Sequence, residues 1–234
     1  MSSNGNICLV TGASSGIGFA VARHLISEGY MVVATARREE RLRLLDSARV
    51  MAGDLSDPQF QDRIEELVFT EYGRCDYLFN CAGTIEVGEV DEIDLNRMTG
   101  MLRLNVEATF RLTYKFLRRF KKRQSGYVIN ISSVMGTKVR PTAGAYSATK
   151  FAMEALSEAL RLEFAGTPIG ITCIEPGLVM TELHNRWKVH PKESMHIGEP
   201  LTVDTIVDAV KYIMSQPPHV RVPRLMLLPR DHVI

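Results

Sequence analysis

A doubly wound α/β fold, one parallel sheet of about seven strands with helices on both faces, is predicted by three observations. Short apolar runs alternate with longer segments of helical periodicity along nearly the whole chain, as in a sheet buried on both sides. No internal repeat or linker divides the 234 residues, so a single domain over 1–234 accounts for them. The chemically distinctive residues fall where the apolar runs end, and such sheets bind ligands beyond the carboxyl ends of their strands.

The elements can be justified in order. Residues 6–11 (NICLVT) are a short apolar run that stops at a glycine-rich turn, which reads as a buried strand. Residues 16–28 have helical periodicity and end before Gly29, a residue suited to a C-cap. Residues 30–36 (YMVVATA) predict the second strand, 38–47 a charged helix, and 49–52 a brief third strand followed by Gly53 and Asp54. Ser56, Asp57 and Pro58 place a cap residue before a proline and start a helix that runs to about Tyr72. The fourth strand, 76–80 (DYLFN), closes on Cys81, Ala82 and Gly83. A long helical zone spans roughly 94–122, with its basic end (LRRFKKR) at the negative pole of the helix dipole. Strands at 127–132 and 169–174 enclose a well-patterned helix at 145–163. Residues 178–200 are poorly patterned, 203–214 form a last helix, and 220–228 an edge strand interrupted by Pro223.

Composition excludes some function classes. A formal net charge of +1 gives no electrostatic reason to expect nucleic acid or an anionic membrane. Cys8, Cys75, Cys81 and Cys173 show no C-x-x-C pairing and read as reduced thiols, not disulfides or zinc ligands. The chain has no basic segment ahead of its first apolar run and no apolar run long enough to span a bilayer. A cytoplasmic, metal-free protein is the expectation.

Two stretches carry chemistry. Tyr146 and Lys150 stand four apart and share one helix face. A lysine beside a tyrosine favours the phenolate, whereas an unperturbed phenol titrates near ~10. A tuned tyrosine can give a proton to a carbonyl oxygen or take one from an alcohol, and Ser133 can hold that oxygen. The plainer alternative is an interfacial tyrosine beside a solvated lysine. The other stretch, TGASSGIG, sets glycines 12, 16 and 18 between the first strand and first helix. Glycine there permits a tight turn and close approach of backbone to a pyrophosphate, which the helix N-terminus also attracts. The spacing is G-x-x-x-G-x-G, not G-x-G-x-x-G. The second strand ends at Ala36 without a carboxylate to bind a ribose 2′-hydroxyl, and Arg37 and Arg38 follow, suited to a 2′-phosphate. NADP(H) is therefore the expected cofactor; a solvated arginine pair beside Glu39 and Glu40 is the alternative.

Together, TGASSGIG, NCAG at 80–83, Asn105, ISS at 131–133, YSATK at 146–150 and PGLVMT at 176–181 resemble the short-chain dehydrogenase/reductase family. The resemblance covers about residues 5–215 with the motifs in family order, and ATARREERL resembles the NADP-dependent branch. It implies a Rossmann-type oxidoreductase that interconverts a small-molecule carbonyl and an alcohol. It also implies a tetrad: Tyr146 as acid/base, Lys150 tuning it and binding the nicotinamide ribose, Ser133 orienting substrate, and Asn105 holding a water in the proton relay. The implied cofactor residues are Gly12, Ser14, Ser15, Gly16, Ile17 and Gly18 in the turn, with Arg37, Arg38, Asp54 and Leu55 toward the adenosine. Asn80, Ala82, Gly83, Pro176, Gly177, Val179 and Thr181 complete them, with Tyr146 and Lys150. Cys81 replaces the second asparagine of the family's NNAG, and the family's DGG-type ending is missing. A non-catalytic NADP(H) sensor on the same fold is the rival reading.

Substrate choice is expected from residues after Gly83, from 134–144 and from 178–200. The last stretch holds His184, Arg186, Trp187, Lys188 and His190, either a lid over a polar or anionic substrate or a solvated loop. The family uses the helices near 94–120 and 146–164 for subunit contacts, which implies a homodimer or homotetramer.

Overall fold

A computed structural model describes residues 5–185, 187 and 189–234. Its single sheet contains β1 (Ile7–Thr11), β2 (Met31–Ala36), β3 (Arg49–Ala52), β4 (Tyr77–Asn80), β5 (Gly126–Ile131), β6 (Ile169–Pro176) and β7 (Arg224–Leu227). The spatial order is β3-β2-β1-β4-β5-β6-β7, with every pairing parallel. This is the doubly wound Rossmann-type sheet that the alternating pattern predicts. The helices are α1 (Gly16–Ser27), α2 (Glu39–Leu42), α3 (Pro58–Glu71), α4 (Leu95–Leu102), α5 (Thr109–Arg123), α6 (Gly144–Glu163), α7 (Pro191–Ser194) and α8 (Val203–Met214).

Burial explains the apolar runs. All five residues of β1 and all eight of β6 are buried, because helices cover both faces. On one face Val21 and Leu25 of α1 and Ile206 and Val210 of α8 pack on the sheet. On the other, Phe60 and Ile64 of α3, Leu112, Phe116 and Phe120 of α5 and Leu160 of α6 do so. Each fully buried phenylalanine of this layer contributes about 1.5–3 kcal/mol of transfer free energy.

The winding direction reverses between β1 and β4, and the chain is stitched most tightly there. Thr11 Oγ1 accepts from the backbone N–H groups of Cys81 and Ala82, at 3.1 Å each. Gly12 sits at φ +66°, and a Cβ on it would lie 2.8 Å from Ala82 backbone atoms. A Cβ on Gly18 would come within 2.5 Å of the Gly12 carbonyl oxygen, so the glycines let the turns after β1 and β4 meet.

Three elements differ from expectation. The helix expected over 38–47 stops at Leu42; single turns then seat Leu45 in the core, and Ser47 at φ +69° redirects the chain into β3. The zone 94–122 is helical, but residues Arg103–Ala108 widen into a π-helix between α4 and α5. There the Thr109 hydroxyl donates to the Leu104 carbonyl at 3.0 Å, pairing an acceptor inside the widened turn. The last strand begins only after Pro223, which has no N–H to give to the ladder. Among the described residues no helix is long and apolar enough to cross a membrane.

Candidate active site

The loops after β1 to β6 converge on one cleft of about 1020 Å³. Every site residue expected from the sequence lines it, apart from Asn80 and Asn105. At one end Ser15 heads α1 with an extended backbone; its hydroxyl makes no capping bond and the first turn carries no acidic residue. The positive pole of α1 is thus open toward the cleft. Gly16 adopts φ +54°, and a Cβ there would stand 3.2 Å from the Thr181 methyl, so Thr181 faces the glycine turn.

Beyond that turn, Arg37 is exposed at the rim. Arg38 Nε donates to Ser14 Oγ at 3.3 Å and Nη1 to Glu182 Oε2 at 2.8 Å. The hydrogen bond from Arg38 holds the Glu182 carboxyl below the usual carboxylate range. Asp54 Oδ1 accepts from Ser56 N at 2.8 Å, which fixes the turn after β3. An uncapped helix start, a glycine turn and two arginines at the end of β2 fit the phosphates of a dinucleotide in chemistry.

At the other end, Tyr146, Lys150 and Ser133 come together. The Tyr146 phenol is buried, and burial pushes it up to about 12 while the Ser133 hydroxyl draws it back. Ser133 Oγ also accepts from Met135 N at 3.1 Å, which orients the serine at the end of β5. Lys150 Nζ donates to the Ile131 carbonyl at 2.9 Å and lies 5.8 Å from the Tyr146 ring centroid. Burial depresses this lysine to about 8. The expected lowering of Tyr146 by Lys150 does not hold in the protein alone, because desolvation dominates at both groups. Cys81 is likewise pushed up to about 12 by burial, as befits an unreactive thiol.

Asn80 and Asn105 sit behind the cleft rather than in it. Asn80 Nδ2 donates to Thr113 Oγ1 at 2.9 Å and Asn130 Oδ1 at 2.8 Å, tying β4 to α5 and β5. Asn105, on the π-helical turn, donates through Nδ2 to the Thr84 carbonyl (2.9 Å) and Thr149 Oγ1 (3.2 Å). Its Oδ1 accepts from Thr84 N at 3.0 Å. It therefore clamps the loop after β4 onto α6, just behind Gly83 and Lys150.

Met101, Val134 and Met135 pack against Tyr146, with Ile85, Val87 and Met98 beside them, so the cleft beyond the phenol has an apolar wall. The Glu182–His184 turn and α7 also line the cleft. The His184 ring stands 5.2 Å from Trp187 and 5.8 Å from His190. Burial, then His190, lowers His184 to about 4, so it is neutral at pH 7. Arg186 and Lys188 lie outside the described residues. Sequence reasoning missed Arg97, Arg140, Glu182 and His232, which also line the cleft. Arg140 falls inside the stretch expected to select substrate; His232 carries no local signal.

The family model described as short chain dehydrogenase matches residues 6–192. An uncharacterized oxidoreductase of Staphylococcus epidermidis is 32% identical over 230 residues, covering 95% of this chain and 96% of that one. The closed form of a serine dehydrogenase complexed with NADP+ superposes with a TM-score of 0.88 at 29% identity, over 94% of each chain. An alcohol dehydrogenase of the archaeon Thermococcus sibiricus, complexed with 5-hydroxy-NADP, gives 0.85 at 26% identity over 98% of each chain.

Proposed function

The chain belongs to the short chain dehydrogenase family of oxidoreductases, and from that premise we propose that it is an NADP(H)-dependent reductase of small-molecule carbonyl compounds. One observation carries the reading. The buried Tyr146 phenol, within electrostatic reach of the Ser133 hydroxyl, stands where the apolar wall meets the cleft that runs to the glycine turn. A carbonyl oxygen at this junction reaches both hydroxyls while its carbon skeleton lies on the Met101 and Val134 side. Held by the glycine turn with Arg37, Arg38 and Asp54, a bound NADPH would supply the hydride that the carbonyl carbon takes up.

The chain's own residues orient and manage protons. Ser133 and Tyr146 donate hydrogen bonds to the substrate oxygen and stabilise the negative charge that develops on it. Tyr146 then gives its proton to that oxygen, so the C=O double bond becomes C–OH, and solvent returns a proton to the phenolate. A phenol held near 12 keeps its proton at neutral pH, which suits an acid in reduction better than a base in oxidation. Asn105 positions the loop that carries Gly83. Arg37 and Arg38 are the groups for a 2′-phosphate, as NADP on two of the similar structures supports. Assembly through α4, α5 and α6 as a homodimer or homotetramer belongs to the same reading.

The test follows NADPH and NADH consumption with ketones, aldehydes, diketones and 3-oxoacyl thioesters. NADPH-specific turnover is expected, and Tyr146→Phe should cut it by several orders of magnitude while NADPH still binds. A variant that keeps most of its activity removes Tyr146 from the mechanism, and equal use of NADH removes the NADP preference.

A further inference from the structure

We propose that Arg140 is the anchor for a carboxylate on the substrate, aimed by His232, so that the carbonyl compounds reduced here are oxo acids. The inference rests on the reductase reading and adds its substrate class. Arg140 lines the cleft six residues before Tyr146, on the loop that leads into α6. That loop is held in an unusual conformation, with Thr142 at φ +65° and its carbonyl accepting from Gly88 N at 3.0 Å.

The Arg140 side chain is half-buried and fixed by three contacts. Nη1 donates to Met195 Sδ at 2.9 Å, Nη2 to the Val233 carbonyl at 3.3 Å, and Nη2 also meets His232 Nε2. None of these partners is a carboxylate, and two of the five guanidinium N–H groups are left without an acceptor among the described residues. The carboxylate nearest in sequence to His232, Asp231, accepts from Gly198 N at 2.7 Å and makes no ion pair with Arg140. Of the other arginines that line the cleft, Arg97 pairs with Glu86 at 2.8 Å, Arg38 pairs with Glu182, Arg37 belongs to the opposite end, and Arg103 is exposed rather than half-buried. A half-buried cation without a carboxylate partner, lining the same cleft as the proton donor, is suited to an anion.

His232 supports the assignment. It is 8% exposed and packs against Gly177, leaving no room for a Cβ there. Because a guanidinium cannot accept, Nε2 must be the acceptor in this contact and the ring is neutral with its proton on Nδ1. That Nδ1 is buried and has no partner. Burial, then Arg140, lowers the imidazole against the opposing pull of Asp231. His232 is thus a positioning residue that aims the guanidinium without competing for its charge. One guanidinium matches the single charge of a carboxylate, and its planar donors suit that group's geometry.

The experiment uses 2-, 3- and 4-oxo acids of four to six carbons, each beside its methyl ester, with the full chain and NADPH. For at least one pair the acid is expected to exceed the ester by about 10–100-fold in kcat/KM, mostly through KM, the worth of a hydrogen bond to a charged group. Arg140→Met should bring that ratio near unity, Arg140→Lys should restore part of it, and His232→Phe should raise KM for the acid more than it lowers kcat. In parallel, the acid should raise the Tm of NADP-loaded wild type but not of NADP-loaded Arg140→Met. Esters reduced as well as acids, with no acid-dependent Tm shift, would overturn the proposal and leave the reductase intact. A shift that depends on Arg140 without turnover of any carbonyl would uphold the anchor and sink the reductase reading.

Discussion

At the scale of the residue, Lys150 shows how this site sets function against stability. Its ammonium is buried, bonded to the Ile131 carbonyl, and depressed from 10.5 to about 8. Between pH 8 and 10.5 the folded chain therefore binds fewer protons at this position than the unfolded chain, and stability rises with pH across that window. Below pH 8 the cost is present in full. Lys150→Met removes it, at the loss of one charge-assisted hydrogen bond worth about 1.5–3 kcal/mol, for a net gain of up to about 2 kcal/mol at pH 7. Thermal melts should show the variant above wild type at pH 7 and the gap closing toward pH 10. A gap of constant size would mean that the lysine is not strained by burial, and a variant below wild type would mean that its hydrogen bond outweighs its charge.

At the scale of the element, the π-helical turn at Arg103–Ala108 brings Asn105 to the back of the cleft. Its amide satisfies both backbone groups of Thr84 and the hydroxyl of Thr149, joining the loop after β4 to α6. Asn105→Leu leaves these groups without partners in a space that admits no water, a cost of about 2–4 kcal/mol. Asn105→Ala leaves room for a water and should cost less. Urea denaturation should rank the midpoints as wild type, Ala, Leu; equal midpoints would show that the clamp carries no stability. The same turn marks where sequence reading works and where it stops. β1, β2, β4, β5 and β6 were legible because buried strands are continuous apolar runs, and the glycine turn was legible because its backbone requires those glycines. The π-helix was not, since 94–122 keeps an unbroken helical pattern through it. The tail that brings His232 beside Arg140 was not either: the two are 92 residues apart and only the closed fold makes them neighbours.

At the scale of the whole molecule, the cleft draws on loops from both halves of the sheet. Gly12, Arg37 and Asp54 follow β1, β2 and β3, whereas Gly83, Ser133 and Gly177 follow β4, β5 and β6. A ligand spanning these loops binds only the folded form of both halves, so its binding energy is added to one cooperative transition. At about 100 times its Kd, NADPH should stabilise the chain by about 2.7 kcal/mol, a rise in Tm of about 5–10 °C for a protein of this size. The doubly substituted Arg37→Ala, Arg38→Ala variant should lose most of that rise at the same NADPH concentration, while its response to NADH stays that of wild type. Scanning calorimetry reads both effects. Two transitions, with only one moved by NADPH, would mean that the halves melt separately and that the cofactor spans less of the sheet than its strand ends suggest. An NADH response that falls together with the NADPH response would place the arginines in the fold of the turn after β2, rather than in recognition of a 2′-phosphate.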